Sequence, residues 1–516
     1  MNEQIKCDEK LCASCGANCS HNHHSETIVK KPVSVEDMAL RREARAALQK
    51  RLIREYGVPV VCFTMNIAGP VKYSEAIETC FNVGAEALTE AFARFNMQVV
   101  HSEFYAAHTG CEGFWCVKAA PRLIKALTVK TEDELSFARL YDMDVIGTDG
   151  KKLERAKPRK CLICGRPAAE CARSRTHSVE ELAEKTRGLL REAVAYAASR
   201  AAHRALADEV MTTPKAGLVD LDNNGANDDM DPDLFMKSAD ALAPYFYLMA
   251  YNAADPDAPE SGHGEGCEVD ERVNCADCPT HETCTMTHGA SLMTKLTLIG
   301  VEAETRMKEA TGGVNTHKGA IFCIGLLASA YARLVSLGKP HETLDVIKEA
   351  KRMAANRPDP GRGTHGATVR QEHPDVAEAS PLGADAEARA GFPAAVNAYR
   401  RILGYRLMNF SDNDCYALAL IGIMEELFDT NAYKRGGREG AEFVRGRAAE
   451  IMDMPLSKRL AEARSFDREL IERNINCGGC ADMLAAAIFL DRLTAYSDRR
   501  KGEEQQSEHH AHRHHD

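Results

Sequence analysis

The sequence predicts a multidomain protein in which a mixed α/β domain precedes a larger all-α domain. Its 516 residues exceed what one hydrophobic core usually supports, so about two to four domains are expected. Up to His177, short apolar stretches typical of buried strands alternate with helical patterns. From Ser178 onward, apolar residues recur at helical spacing with almost no strand alternation.

The α/β domain is expected at residues 34–185, after a flexible Cys- and His-rich arm at residues 1–33. Its predicted elements are a helix around 44–53, strands at 60–65, 98–105 and 137–146, and a helix over 119–127. These elements predict a small sheet covered by helices.

The all-α domain is expected at residues 186–500, interrupted by a Cys-rich insertion at 258–290. Its clearest predicted helices are 292–307, 320–337, 393–407, 417–428 and 483–496. The tail, residues 501–516, is polar and His-rich and is expected to be disordered.

Composition limits the partners and the compartment. The 65 basic and 76 acidic residues give a net charge of −11, which provides no general basic field for nucleic acid. The longest charge-free run, near residues 319–332, is too short to cross a bilayer, so no membrane segment is expected. Without a secretory signal, we expect a cytoplasmic protein whose 19 cysteines are thiols or metal ligands rather than disulfides.

Two carboxylates in the first domain suggest a magnesium site. In a strand, Asp142 and Asp144 lie on the same face because side chains alternate with period two. Such a pair can hold a Mg²⁺ that binds substrate phosphates, as in phosphoryl and nucleotidyl transfer. The alternative is a pair of exposed strand acids. After the first strand, a Gly-Pro turn could bring Lys72 to a phosphate.

Next in the chain is a set of metal-ligand residues with the spacing Cys-x2-Cys-x6-Cys-x5-His. It comprises Cys161, Cys164, Cys171 and His177, within a stretch rich in arginine. Three thiolates and one imidazole suit a tetrahedral Zn²⁺ site. The alternative is reduced thiols at a turn.

These segments resemble the holo-citrate-lyase synthase family, the phosphoribosyl-dephospho-CoA transferases. The resemblance rests on MNIAGPVK at 65–72, RLYDMDV at 139–145 and RKCLICGRPAAECARSRTHS at 159–178, within a match over about 35–185. It implies a nucleotidyltransferase-like domain that transfers a phosphoribosyl-dephospho-CoA group to a serine of the citrate lyase acyl carrier protein and releases pyrophosphate. Asp142 and Asp144 would then hold the metal on the departing pyrophosphate, and Lys72 would offset its charge.

In the second domain, residues 220–231 nearly spell a calcium loop, but the last position is Asp231 instead of glutamate. Beside Lys215, its carboxylates and amides are better suited to Mg²⁺-triphosphate and ribose hydroxyls. A second polar segment, 311–320, brings His317 and Lys318 to a helix N-terminus, which favours an anion. An ordinary turn between helices is the alternative there.

This domain resembles triphosphoribosyl-dephospho-CoA synthase. The resemblance rests on PKAGLVD at 214–220, NNGANDDMD at 223–231, GVEAETRM at 300–307, GVNTHKG at 313–319 and NAYKRGG at 431–437, within a match over about 186–499. It implies that ATP and 3'-dephospho-CoA are joined through a ribose-ribose bond with release of adenine.

That reaction needs a base, an acid and phosphate contacts. The candidate bases are Asp220, Asp228 and Glu304, and the candidate acids are His317 and His365. Lys215, Lys318 and Arg435 are expected to contact the triphosphate, and Asp231 or Asp482 could serve Mg²⁺. Further ligand contacts are expected at Asn224, Glu302, Arg306, Asn315 and Glu387.

Two positions depart from this family's pattern. Asp385 replaces an expected arginine, so a phosphate contact could be missing. The run CGGCAD at 477–482 retains Asp482 but adds two thiols where the family pattern has proline and serine.

Two other Cys clusters lie outside both resemblances. One comprises Cys7, Cys12, Cys15 and Cys19, and the other Cys267, Cys275, Cys278 and Cys284. Either could hold Zn²⁺ or an iron-sulfur cluster, or consist of reduced exposed thiols.

The sequence therefore predicts a bifunctional transferase that makes and attaches the citrate lyase prosthetic group. One alternative is synthesis of the corresponding group for malonate decarboxylase, although the segment 161–177 favours citrate lyase. The other is a non-enzymatic metal-responsive binding protein, which is supported by the Cys clusters and by the departures at Asp385 and Cys477.

Overall fold

The structure, a computed structural model, describes residues 30–258, 291–357 and 381–493, together with residues 369, 371, 372 and 374. Within this part, a small sheet with its helices is followed by a larger helical region, as the sequence predicts. The predictions for the two outlying Cys clusters, for His365 and for the tail lie outside the described residues.

The sheet has four strands in the order β2-β3-β1-β4, and all neighbouring pairs are antiparallel. The strands are β1 (Val60–Met65), β2 (Gln98–Ala107), β3 (Gly110–Lys118) and β4 (Tyr141–Ile146). Strand β4 is an edge strand. The strand predicted at 137–146 is therefore too long, because residues Phe137–Leu140 form a 3₁₀ turn with three of their four side chains buried.

Three helices cover the two faces of the sheet. Helix α1 (Val35–Tyr56) packs on the face that carries Val60, Cys62 and Phe114. Helices α2 (Glu75–Arg94) and α3 (Pro121–Glu134) cover the opposite, more apolar face. A capping box at Ser34 begins α1, because the Ser34 side chain accepts a hydrogen bond from the Asp37 N–H group and the Asp37 carboxylate accepts one from the Ser34 N–H group.

The remaining helices follow in sequence. They are α4 (Ala168–Ser174), α5 (Val179–Met211), α6 (Pro232–Ala253), α7 (Leu292–Ala310), α8 (Lys318–Ser336), α9 (Thr343–Ala355), α10 (Ala384–Ala390), α11 (Pro393–Leu407), α12 (Asp412–Glu426), α13 (Thr430–Asp453), α14 (Leu456–Glu472) and the described part of α15 (478–493).

Helix α8 is the centre of the helical region and packs against α5, α6 and α9. It is the one described helix that is long and apolar enough to span a membrane, yet 83% of its most apolar 18-residue stretch is buried inside the protein. Its apolar character is therefore accounted for by its position in the core.

Helix α5 joins the two parts of the chain without a linker. Its first half packs in the same core as the sheet, and its second half packs in the helical core. Arg200 and Arg204 of α5 form salt bridges with Glu86 and Glu90 of α2, and the Thr79 and Tyr331 hydroxyl oxygens are 3.5 Å apart. The boundary predicted at 185/186 falls inside this helix and stays a prediction.

Candidate functional sites

Asp142 and Asp144 lie on the same face of the edge strand β4. Their neighbours Tyr141, Met143 and Val145 point into the core, while the two aspartate side chains are 45% and 27% exposed. Cations accompany both: Lys152 Nζ is 2.7 Å from the Asp144 carboxylate and Arg159 is 3.6 Å from that of Asp142. Half-exposed, paired carboxylates at a strand edge are accessible to a divalent ion.

Lys72 is held by its own loop. Its ammonium group donates a hydrogen bond of 2.6 Å to the Ile67 carbonyl oxygen, and burial lowers its pKa. A phosphate contact would require this side chain to leave the Ile67 carbonyl.

A third carboxylate lies on the same face of the sheet. Thr64 of β1 pairs with Asp142 on one side and with Glu112 of β3 on the other. Glu112 is buried and forms salt bridges of 2.5 Å with Arg41 and 2.7 Å with Arg45. This residue is not among those predicted from the sequence, although a carboxylate among the apolar residues of 110–117 was a usable signal.

Side chains from α3 satisfy the free edge of β4. The Met143 N–H group donates to Glu132 at 2.7 Å, and Lys125 Nζ donates to the Met143 carbonyl oxygen at 3.0 Å. Burial raises the pKa of Glu132, and Arg159 and Arg155 oppose that shift. These cross-contacts between elements have no local sequence signal.

The predicted Cys/His set comes together beyond β4. One ligand atom from each of Cys161, Cys164, Cys171 and His177 lies within 4.8 Å of the others. Cys161 and Cys171 are buried and Cys164 is exposed. Hydrogen bonds from Arg166 are the main reason that the pKa of the Cys164 thiol is lowered to about 5, which favours a thiolate at neutral pH.

In the helical region, the loop 212–231 is built around Asp220. Its carboxylate is buried and accepts hydrogen bonds from the N–H groups of Lys215, Asp222 and Asn223. Gly225 allows the loop to close, since a Cβ atom there would lie 2.5 Å from the Leu218 backbone and its φ is +59°. Asp220 therefore organises the loop, while Asp228 and Asn224 lie exposed on it.

Two residues predicted to contact the triphosphate, Lys215 and Arg435, instead pair with protein groups in and around this loop. Lys215 is only 2% exposed and its ammonium is 2.7 Å from the Glu209 carboxylate. Arg435 donates to the Ala226 carbonyl oxygen at 2.6 Å and to the Asn227 side chain at 3.1 Å. Asp231 caps α6 by accepting from the Leu234 N–H group at 2.7 Å.

His317 ends the polar turn before α8 and is buried. The Thr316 hydroxyl donates to Ser238 Oγ at 2.7 Å, and Ser238 Oγ is 2.7 Å from His317 Nδ1. We assign the Ser238 hydrogen to the bond with Nδ1, which places the ring hydrogen on Nε2, and Nε2 has no hydrogen-bond partner among the described residues. Burial, with Lys215 adding to it, lowers the pKa of His317 to about 3, so the ring is neutral at pH 7.

Lys318 is exposed at the N-terminus of α8. Its ammonium is 3.0 Å from Glu304, which also pairs with Lys308 at 2.8 Å. Although burial opposes them, hydrogen bonds from these lysines lower the pKa of Glu304. The other polar residues predicted here make local contacts: Glu302 accepts from Tyr245, Arg306 pairs with Glu309, and Asn315 accepts from the Lys318 N–H group.

Asp482 is partly buried against the first turn of α8. A Cβ atom at Gly319 would lie 1.8 Å from the Asp482 carboxylate, and the Ala320 N–H group donates a hydrogen bond to this carboxylate. Burial, with Asp429 and Glu209 adding to it, raises the pKa of Asp482. The thiols Cys477 and Cys480 are free and buried beside Asp429, which accepts from the Cys480 N–H group at 2.8 Å.

Glu387 is a buried carboxylate on α10. Burial raises its pKa to about 7, despite a hydrogen bond from the Ala394 N–H group. Burial is the main reason that the pKa of the Cys323 thiol is raised, and the charges of Asp482 and Glu387 raise it further. These two carboxylates therefore lie near the same residue of α8.

The unexpected Asp385 is paired with two arginines. Its carboxylate is 3.0 Å from Arg357 and 2.8 Å from Arg389. Arg357 also stacks on the Phe322 ring at 4.5 Å and lines a cavity of about 160 Å³, together with Glu304, Lys318 and apolar residues of α6, α7 and α8. Arg357 is not among the residues predicted from the sequence, and the Asp385 substitution was the signal that could have pointed to it.

Two family profiles match the chain in tandem. The profile of apo-citrate lyase phosphoribosyl-dephospho-CoA transferase covers residues 33–193, and that of ATP:dephospho-CoA triphosphoribosyl transferase covers residues 195–501.

Curated relatives match both halves or the second alone. "Protein CitXG" from Haemophilus influenzae is 29% identical over 89% of this chain and 96% of its own length. "Protein CitXG" from Leuconostoc mesenteroides subsp. cremoris is 27% identical over 88% of this chain and 95% of its own length. The 2-(5''-triphosphoribosyl)-3'-dephosphocoenzyme-A synthase of Klebsiella pneumoniae is 33% identical over 57% of this chain and 90% of its own length.

The chain is therefore a transferase in which these two kinds of region are fused, and it belongs to the ATP:dephospho-CoA triphosphoribosyl transferase family.

Proposed function

We propose that this protein makes the citrate lyase prosthetic group and attaches it to the acyl carrier protein of citrate lyase. The helical region joins ATP and 3'-dephospho-CoA into 2'-(5''-triphosphoribosyl)-3'-dephospho-CoA and releases adenine. The sheet region transfers the product to a carrier serine and releases pyrophosphate. The observation that carries the proposal is the tandem match of both transferase profiles, over 33–193 and 195–501, in one chain.

The first step is a glycosyl transfer. A ribose hydroxyl of dephospho-CoA attacks the anomeric carbon of the ATP ribose, so a C–O bond forms as the C–N bond to adenine breaks. The hydroxyl loses a proton and adenine gains one. The site therefore needs a proton acceptor with a pKa near neutrality and a donor at the base.

Among the described carboxylates of the helical region, Glu387 has the properties of that proton acceptor. Its pKa of about 7 balances basicity against availability of the carboxylate at neutral pH. Of the bases predicted from sequence, Asp220 already accepts three backbone hydrogen bonds, and Glu304 has its pKa lowered by two lysines. Asp228 is exposed on the loop and is the runner-up.

His317 is proposed to contact the substrate as a neutral imidazole. With a pKa of about 3 it carries no spare proton at pH 7, which disfavours a role as an imidazolium acid. Its unpartnered Nε2–H group is a buried donor that a substrate oxygen or nitrogen would satisfy.

Lys318 and Arg357, which line the same cavity, are proposed as the better triphosphate ligands. Lys318 also lies at a helix N-terminus, whereas Lys215 and Arg435 pair with protein groups in and around the loop 212–231. For Mg²⁺, the exposed Asp231 is a better ligand than the partly buried Asp482, whose raised pKa disfavours the carboxylate.

The second step is a nucleotidyltransferase-like substitution. The serine oxygen of the carrier attacks the α-phosphorus, and the bond to the β,γ-pyrophosphate breaks. Asp142 and Asp144 are proposed to hold Mg²⁺ on the leaving pyrophosphate, where Lys152, Arg159 and Lys72 are additional sources of positive charge. We place both reactions in the cytoplasm, where the described cysteines, none of which forms a disulfide, would stay reduced.

Two assays test the proposal on the full chain. Incubation with ATP, Mg²⁺ and 3'-dephospho-CoA should release adenine only when dephospho-CoA is present. Adding the citrate lyase carrier protein should then increase the carrier's mass by one phosphoribosyl-dephospho-CoA group. Failure to release adenine would reject the synthase half and favour a metal-responsive binding protein, whereas modification of a malonate decarboxylase carrier instead would redirect the second half.

A further inference from the structure

The chain between β4 and α5 folds around the Cys/His set with few apolar contacts. Cys161 begins a tight turn, since its N–H group donates to the Arg166 carbonyl oxygen at 2.6 Å. Gly165 has a φ of +73° in this turn, and Lys160 and Pro167 form an isolated bridge that closes it. Short helix α4 then carries Cys171, and the Thr176 N–H group donates to the Cys171 carbonyl oxygen, which turns the chain back at His177.

The donor atoms fit one metal ion. A tetrahedral ion about 2.3 Å from sulfur keeps its thiolates about 3.8 Å apart. The four ligand atoms lie within 4.8 Å of one another, and the Cys164 and Cys171 sulfurs are 3.4 Å apart. The buried Nε2 atom of His177 has no hydrogen-bond partner among the described residues.

An iron-sulfur cluster or a disulfide fits these atoms less well. A cluster carries several irons and bridging sulfides, so its ligands must stand further apart than around one ion. A disulfide would use two of the thiols and leave the third thiol and the imidazole without a role. Three thiolates with one imidazole are the donor set of structural zinc sites.

We propose that Cys161, Cys164, Cys171 and His177 bind one structural Zn²⁺ ion. The ion replaces a hydrophobic core in this segment, because short loop-rich units are stabilised by the coordination bonds themselves.

The site follows a basic segment, residues 152–160, that lies beside Asp142 and Asp144. Within this segment, Lys152 contacts Asp144 at 2.7 Å, and Arg159 contacts both Glu132 and Asp142. Arg139 also donates to the Lys160 carbonyl oxygen, one residue before the first ligand. The ion thus fixes the end of the segment that supplies these cations. This consequence rests on the proposed function, because it concerns the attachment step.

The primary test is the zinc content of the full-length protein, measured by inductively coupled plasma mass spectrometry. The double variant Cys164→Ser/Cys171→Ser should contain one zinc fewer per chain than the parent. Cys415→Ala, which changes a free thiol on α12, is the matched control and should retain the parent content. Both variants keep the cysteines of the arm and of the insertion, so the difference isolates this site. Equal zinc content in the double variant and the parent would overturn the proposal.

Three further measurements separate a zinc site from a disulfide and from a general loss of folding. Circular dichroism should show that the double variant remains folded. Peptide mass spectrometry of unreduced, alkylated parent protein should show no bond between Cys164 and Cys171, and a metal-free disulfide would reject the site. In hydrogen exchange, peptides covering 151–177 should exchange at least about tenfold faster in the double variant, while α8 peptides stay unchanged.

Loss of this site should affect the two reactions differently. The double variant should release adenine like the parent but modify the carrier at least about tenfold more slowly. If the parent itself fails to modify the carrier, the proposed function fails, while the zinc content still decides whether this site binds metal.

Discussion

The Nδ1 atom of His317 lies 2.7 Å from Ser238 Oγ, and this contact orients the buried ring. With Thr316 donating to the same hydroxyl oxygen, we assign the Ser238 hydrogen to the bond with Nδ1 and the ring hydrogen to Nε2. Burial keeps the ring neutral at pH 7, which leaves the Nε2–H group available. The His317 ring can therefore donate a hydrogen bond to a ligand, but it carries no extra proton to transfer at pH 7.

Burial of His317 predicts a loss of stability in acid. The unfolded chain binds a proton at the ordinary histidine pKa of 6.5, whereas the folded chain binds it only near its pKa of about 3. Stability should therefore fall as pH drops from 6.5 towards 3, by an amount on the order of 4 kcal/mol at the acid end. Urea-unfolding midpoints across this range should fall less steeply for His317→Gln than for the parent. His203→Gln, on a partly exposed histidine, is the control, and parallel pH dependences in all three proteins would contradict the prediction.

Glu387 predicts the pH dependence of adenine release. Its pKa of about 7 means that the carboxylate form, which accepts the proton, accumulates as pH rises through neutrality. The parent kcat/KM should rise with pH through about 7 and then level off. Glu387→Gln should lower kcat/KM by about 100-fold or more and remove this rise. Glu462→Gln, on the partly exposed face of α14, is the control; a Glu387→Gln profile parallel to the parent's would assign Glu387 a structural role only.

Arg357 and Arg389 share Asp385 but differ in their access to the cavity. Arg357 lines the cavity, whereas Arg389 does not. Arg357→Ala should raise KM for ATP or dephospho-CoA about tenfold or more, because a cation facing bound phosphate is lost. Arg389→Ala removes the same charge from Asp385 and should change KM less than about threefold. Equal effects of the two variants would mean that Asp385 pairing, not ligand contact, matters.

Asp144 should separate the two activities of the chain. Asp144→Asn removes one proposed Mg²⁺ ligand on β4 and should slow carrier modification by about 100-fold or more, with adenine release unchanged. Asp149→Asn, in the turn after β4, is the control, because its carboxylate contacts the Lys151 N–H group instead of the proposed metal site. If Asp144→Asn slowed both reactions equally, the division of labour between the two regions would be wrong.

What the sequence could predict depends on how far apart the interacting residues are. Asp142 and Asp144 share a face because side chains alternate along a strand. Cys161, Cys164, Cys171 and His177 are close in sequence, so their spacing alone predicts that their side chains meet. Glu112 joins the same face only through the pairing of β3 with β1, and Arg357 reaches Asp385 only through the packing of separate helices.

Local patterns also failed where burial decided the outcome. Residues Phe137–Leu140 continue the apolar pattern of β4, but three buried side chains in four residues suit a 3₁₀ turn against α5 better than an alternating strand. In the loop 220–231, the acidic spacing resembles a cation loop, yet Asp220 faces inward and accepts backbone hydrogen bonds. The spacing of acidic residues does not predict whether the Asp220 side chain points into the loop or towards solvent.

The contact between Gly319 and Asp482 gives a stability prediction. An alanine Cβ at 319 would lie 1.8 Å from the Asp482 carboxylate, and this overlap cannot be relieved without moving Asp482 away from the start of α8. Gly319→Ala should therefore destabilise the protein by about 2–4 kcal/mol. Gly404→Ala is the matched control, because a Cβ there meets no atom within 4 Å and helix α11 should gain up to about 1 kcal/mol. Thermal unfolding should lower the midpoint only for Gly319→Ala. An unchanged midpoint would show that Asp482 is free to move, and Asp482 would then regain its place as a candidate Mg²⁺ ligand beside Lys318.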